Sequence, residues 1–258
     1  MRPRWPASRS RRWMRARLLA WFKVNRRRFP WREPRYAAFG MLLAEMLLRQ
    51  TRAPDVARVL PRLLDAYPDP ASLARANRNR LLRIVRELGL QNQRMKALLQ
   101  ASTYIVEQHR GAVPRELDAL RRIPHVGDYA AHAVACFAFG ASVPVVDVNV
   151  LRVMARVFGV NQPSDLRRAP WVWDRMEALI PRNAREFNWA IFDLGAMVCS
   201  ARDPDCPSCP WRAVCRYAQA GAGVSATSST SAGASRTSSP ASRAPRVGRL
   251  PERAGSSS

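Results

Sequence analysis

Four cysteines, Cys199, Cys206, Cys209 and Cys215, fall in a Cys-x6-Cys-x2-Cys-x5-Cys pattern within seventeen residues, and no other feature restricts the fold of the chain so narrowly. What they do depends on the compartment. Met1 to Arg28 is dense in arginine but has no apolar stretch ending at a small-residue cleavage site, so it does not read as a secretory signal. No run approaches the ~18 uncharged apolar residues that a membrane span needs. The expectation is a soluble, cytoplasmic monomer with no membrane partner. There thiols stay reduced, and four at this density bind metal rather than form disulfides. The spacing leaves zinc and an iron–sulfur cluster both open. The fifth cysteine, Cys136, stands in an apolar stretch and reads as a small core residue.

Upstream of the cysteines the pattern is helical almost throughout. Apolar residues recur at three- and four-residue spacing in 38–48, 56–64, 81–88, 95–106, 130–139, 150–158 and 171–180, with Gly and Pro breakers between them. No two-residue alternation or internal repeat is present, so the fold class is all-α. With 47% hydrophobic residues the chain can build one or two small domains. The ends differ. Residues 1–12 read as a basic disordered arm. Residues 219–258, mostly Ser, Ala, Gly, Thr, Pro and Arg, form a tail that cannot bury a core. The helical core is expected over 13–198 and the cysteine loop over 199–218.

The net charge is +24, of which residues 1–28 carry +11 and residues 219–258 carry +4, leaving +9 on the body between them. A body still basic without its ends suits a polyanionic partner, because Arg and Lys contacts to phosphate release condensed counterions. The competing reading is an arginine-rich composition with no partner behind it; only Lys23 and Lys96 are lysines.

The segment 117–139 is the most informative in the body. A short helix ends near Arg122, the turn Pro124-His125-Val126-Gly127 follows, and a second helix begins at about Asp128. N–H groups at the start of that helix could cradle a phosphate, although an ordinary helix–helix connection has the same local pattern. The segment resembles the Leu-Pro-Gly-Val-Gly hairpin of the endonuclease III and MutY superfamily of DNA glycosylases, with His125 where the family has its first glycine. The resemblance covers about residues 17–218 and implies a two-lobed helix-hairpin-helix fold. It also implies a hairpin that grips the DNA backbone through His125, Val126 and Gly127.

Asp147 would cap the helix after it on local grounds alone. By the resemblance it is the carboxylate at the mouth of the base pocket, where it stabilises the positive charge that builds on the sugar as an N-glycosidic bond breaks. Asn149 then supports it or touches DNA. Glu45 is an acid within an apolar helix, where burial would keep it protonated and fit to donate to a departing base. Gln50 matches the glutamine that wedges into the DNA stack when a base is extruded. Tyr129 stands where the strand-cutting branch has a Schiff-base lysine, which implies a monofunctional enzyme.

In the same family a cysteine pattern of this spacing holds a [4Fe–4S] cluster, which makes iron–sulfur the expected cofactor ahead of zinc. The implied partner is double-stranded DNA with a mismatched or damaged base. Ala53 in place of the MutY valine, and the segment from Gly89 to Arg94, are more similar to thymine glycosylases acting on T·G mismatches. The Ser/Arg-rich tail also stands where MutY enzymes carry a further C-terminal domain. The expected substrate is therefore thymine or uracil opposite guanine. The alternatives are a MutY-like adenine glycosylase and a catalytically inactive DNA-binding relative. A zinc-stabilised regulator would need a recognition helix, and no helix-turn-helix pattern supplies one.

Overall fold

The computed structural model describes Trp5, residues 11–162 and residues 169–221. Most of the expected arm and tail lies outside them. Among the described residues the chain is all-helical, with no strand. In order come α1 Arg11–Asn25, α2 Ala37–Leu48, α3 Ala53–Ala66, α4 Pro70–Ala74, α5 Arg78–Val85 and α6 Gln91–His109. They are followed by α7 Leu117–Arg122, α8 Asp128–Phe137, α9 Val148–Phe158, α10 Pro170–Leu179, α11 Ala184–Met197 and α12 Arg216–Gln219. No described helix is long and apolar enough to cross a membrane.

Local chemistry accounts for the element that matters most. In α9 the buried Val150, Leu151, Val153, Met154, Val157 and Phe158 repeat at helical spacing. Asp147 caps its start and Gly159, at φ +64°, ends it in the left-handed conformation that glycine adopts freely. Five helices, α1, α4, α7, α11 and α12, lie outside the periodic stretches, and three of them show why. In α1 only Met14, Leu18 and Phe22 are buried, a thin stripe masked by exposed arginines. In α11 the buried Asn188 and Asp193 interrupt the apolar pattern. The proline-rich start of α4 reads as a breaker, yet Asp69 and Ser72 form a reciprocal capping box there.

The helices enclose two apolar cores. One gathers α2, α3, α5, α6 and α8 around Leu42, Leu60, Leu98 and Val134. The other gathers α1, α9, α10 and α11 around Leu18, Phe158, Met176 and Phe187. The chain passes from the first to the second between Val145 and Val146. That extended stretch has no helical hydrogen bonds, and Asn188 of α11 supplies them. Its Oδ1 accepts from Val145 N at 3.0 Å and its Nδ2 donates to Val143 O at 3.1 Å. Cys136 is fully buried beside it.

The cysteine loop contributes Trp211 and Val214 to the second core. Trp211 is fully buried, and its Nε1 donates to Met14 O at 2.9 Å, which fastens the loop to α1. Trp211→Ala should therefore destabilise the fold by about 3–5 kcal/mol, the usual cost of emptying an aromatic core site. Urea unfolding measures this directly; a loss below about 1 kcal/mol would show that the loop is not part of the core.

Candidate active site

At the seam between the two cores lies a cavity of about 470 Å³, lined by Glu45, Ala53, Tyr129, Asp147 and Asn149 together. Asp147 stands immediately after the crossover. Its Oδ1 accepts from Asn149 N at 2.9 Å and Val150 N at 2.7 Å, so it caps α9 and lines the cavity at once. The helix N-terminus behind it favours negative charge. Asn149 Nδ2 donates to the other oxygen at 2.7 Å, and Arg152 Nη2 donates to Asn149 Oδ1 at 3.0 Å. Arg152 also reaches Gly195 O at 2.8 Å and Cys199 O at 2.9 Å. A line of hydrogen bonds thus runs from the carboxylate to the first cysteine.

Glu45 sits among Met41, Leu42, Met46 and Leu47 of α2 and is only 4% exposed. Burial pushes its pKa up to about 8; the negative charge of Asp147 adds to the rise, while the Tyr129 hydroxyl and Arg32 oppose it. At neutral pH it holds a proton. Its Oε2 is buried without a protein partner. Tyr129 is half-buried as a residue, but burial of its hydroxyl, with Glu45 and Asp147 nearby, holds it in the phenol form well above its usual range.

Sequence reasoning did not single out the aromatic walls or the charges behind them. Phe29 and Trp31 stack at 4.8 Å, and Phe137 stacks on Trp189 at 5.3 Å; all four line the cavity. Arg27 and Arg32 converge on Asp193, which is fully buried in α11. Arg27 Nε lies 2.7 Å from Oδ1, and Arg32 Nη1 lies 2.8 Å from Oδ2. Burial pushes the Asp193 pKa up, but the arginine hydrogen bonds outweigh it and the net shift is downward. These pairs span more than 160 residues, and no local pattern marks them. The sequence hint is Asp193 itself, a charge within the apolar run 189–195.

The hairpin falls where expected, with α7, a turn over 123–127 and α8. His125 takes φ +66°, the left-handed conformation that the family glycine would adopt freely and that histidine tolerates. Its Nε2 lies 2.6 Å from Gln100 Oε1, and its carbonyl accepts from Arg49 at 3.4 Å. The Val126 side chain is buried and its N–H bonds Ile123 O, so neither faces outward. Gly127 lies at φ −89° and does not need to be glycine for its backbone conformation. Gln50 and His125 do not line the cavity that holds Glu45 and Asp147; they line a neighbouring hollow, with Arg49 shared between the two.

Among the described residues no three His, Cys, Asp or Glu side chains converge to hold a metal ion. The donor set of the loop is nevertheless four thiols. Burial, together with like charge from Cys215, Cys199 and Cys206, pushes Cys209 up to about 12. Arg156 Nη1 lies 3.3 Å from Cys199 Sγ, a cation placed to offset thiolate charge. Four sulfur donors in one loop, with arginine at Cys199, are the donor chemistry a thiolate-ligated metal group would use, and its binding would displace their protons.

Residues 43–173 match the HhH-GPD superfamily base excision DNA repair protein family. The chain belongs to this superfamily. It is 34% identical to a thymine-DNA glycosylase of Aeropyrum pernix over 209 residues, 79% of this chain and 93% of that protein. It is 38% identical to an adenine DNA glycosylase of Mycobacterium tuberculosis over 208 residues, 79% of this chain and 67% of that one. A solved structure of a thermostable thymine-DNA glycosylase superposes with a TM-score of 0.77 at 30% identity, covering 81% of this chain and 97% of that one. This HhH-GPD protein is a DNA glycosylase of base excision repair.

The buried acid makes stability depend on pH. Glu45 ionises at about 4.5 when unfolded but only at about 8 in the fold, so the fold loses stability as pH rises between these values. Glu45→Gln removes that loss. Relative to the wild type, the melting temperature of the variant should be higher at pH 9 than at pH 5, and a pH-independent difference would contradict the buried-acid assignment.

Proposed function

We propose that this glycosylase is monofunctional and releases thymine or uracil opposite guanine from double-stranded DNA. The observation that carries the chemistry is the joint placement of a protonated Glu45, Tyr129 and Asp147 in one aromatic-walled cavity. An extruded base fits between the rings, which supply stacking surface to a flat ligand. Glu45, held protonated by burial beside the Tyr129 hydroxyl, supplies the proton that the departing base takes up. Asp147, held by the α9 N-terminus and Asn149, faces the positive charge that develops on the sugar. Water then supplies hydroxide to the sugar carbon, and its other proton restores the acid.

Strand cleavage through a Schiff base needs an amine beside the sugar. The chain has only Lys23 and Lys96, and neither lines the cavity. For the base, support comes from Ala53 in the cavity lining and from the likeness to thymine glycosylases along nearly their whole length. The 38% identity to an adenine glycosylase favours adenine as the second reading. The four cysteines are read as ligands of a [4Fe–4S] cluster, which would supply a staple across the loop rather than a part of the hydrolysis.

In single-turnover assays, T·G or U·G duplexes should lose the pyrimidine, with strand scission only after alkali and no complex trapped by borohydride. Faster release of adenine from A·G would select the second reading. Asp147→Asn should slow release by about 100-fold or more while duplex affinity stays within a few-fold, because asparagine also caps helices. Protein purified without oxygen should be brown, with about four irons per chain; colourless protein with one zinc would replace the cluster assignment.

A further inference from the structure

Arg94, at the start of α6, is 7% exposed and uses all three guanidinium nitrogens. Nε donates to Gly89 O at 2.9 Å, and Nη1 donates to Leu47 O at 3.0 Å. Nη2 reaches Arg49 O at 3.0 Å, Leu88 O at 3.5 Å and the Thr51 hydroxyl. These partners belong to two separate segments, the α2–α3 loop with the end of α2, and the turn before α6. A single planar fork therefore fastens two loops that are about forty residues apart in the chain.

Each loop ends in a strained tip. Gln50 has φ +56° and Leu90 has φ +49°, conformations that cost a residue other than glycine about 1 kcal/mol or more. Leu90 is 48% exposed, one of the few large apolar side chains left in solvent. The two tips flank a hollow of about 370 Å³ next to the base cavity, with Arg49 and Lys96 also at its wall. An apolar and an amide side chain projecting between cations is the chemistry that fills a gap in a base stack while phosphates are held on either side.

We propose that Arg94 is a positioning residue for base extrusion, fixing the spacing at which Gln50 and Leu90 enter the stack as the target base leaves. This rests on the glycosylase reading of the neighbouring cavity. Lysine keeps the charge but cannot span both loops, and Thr51→Val removes one of the anchors on the Gln50 side.

The test compares single-turnover release from a fully stacked mismatch with release of the same base placed inside an unpaired bubble, where no stack has to be opened. Arg94→Lys should lose about tenfold on the mismatch, a ~1.4 kcal/mol effect, and under about twofold on the bubble. Thr51→Val, which leaves the buried arginine in place, should show the same selectivity to a smaller degree and carries the test if Arg94→Lys does not fold. Equal losses on both substrates, or no loss on either, would overturn the positioning role. A wild type inactive on every mismatch and bubble would overturn the glycosylase reading and this proposal with it. Activity in the wild type alongside an unselective loss in the variants isolates the failure to Arg94.

Discussion

Between Val145 and Val146 the chain crosses from one apolar core to the other, and its backbone there has no helix to satisfy its polar groups. Asn188 satisfies two of them from the side, Val145 N and Val143 O, with both ends of its amide engaged next to the start of α9. The next residue is Asp147. Its carboxylate lies at the seam because the seam is where the chain must cross, and it faces the cavity because the α9 N–H groups hold one of its oxygens. Trp189 and Phe192 pack against both cores, and both line the cavity at the seam.

Three carboxyl groups around that seam meet different surroundings. Asp193 has no exposure to water but is met by two arginines, so it stays charged and fixes the basic segment 27–32 against α11. Glu45 is equally enclosed but has a phenol and apolar neighbours, so it keeps its proton. Asp147 is partly open and hydrogen-bonded by backbone N–H groups. The proposed division of tasks between Glu45 and Asp147 rests on this difference in burial and hydrogen bonding within one small cavity.

The cysteine loop is coupled to the same helix. One face of α9 carries Asp147 at its start, then Asn149 and Arg152, then Arg156, which binds Ser200 O at 2.6 Å and Ala201 O at 2.9 Å. Hydrogen bonds thus join the loop directly to the helix that orients the carboxylate. Trp211 anchors the other side of the loop in the second core.

The sequence by itself determined the helical class, the hairpin and the cysteine pattern, which are set by spacing along a helix, by turn residues and by short motifs, all acting within a few residues. The candidacy of Glu45, Tyr129 and Asp147 came from the resemblance of those motifs to a known family. The sequence did not reveal α1 or α11, because charged or polar residues break their apolar periodicity. Only the tertiary structure decided that Arg27 and Arg32 neutralise Asp193 and that Arg94 ties two loops together. Tertiary structure also decided that His125 takes a left-handed turn braced by Gln100, and that Gln50 lies beside the base cavity rather than in it. Each depends on partners from distant parts of the chain, and whether a buried charge meets its partner is settled only when separate helices pack together.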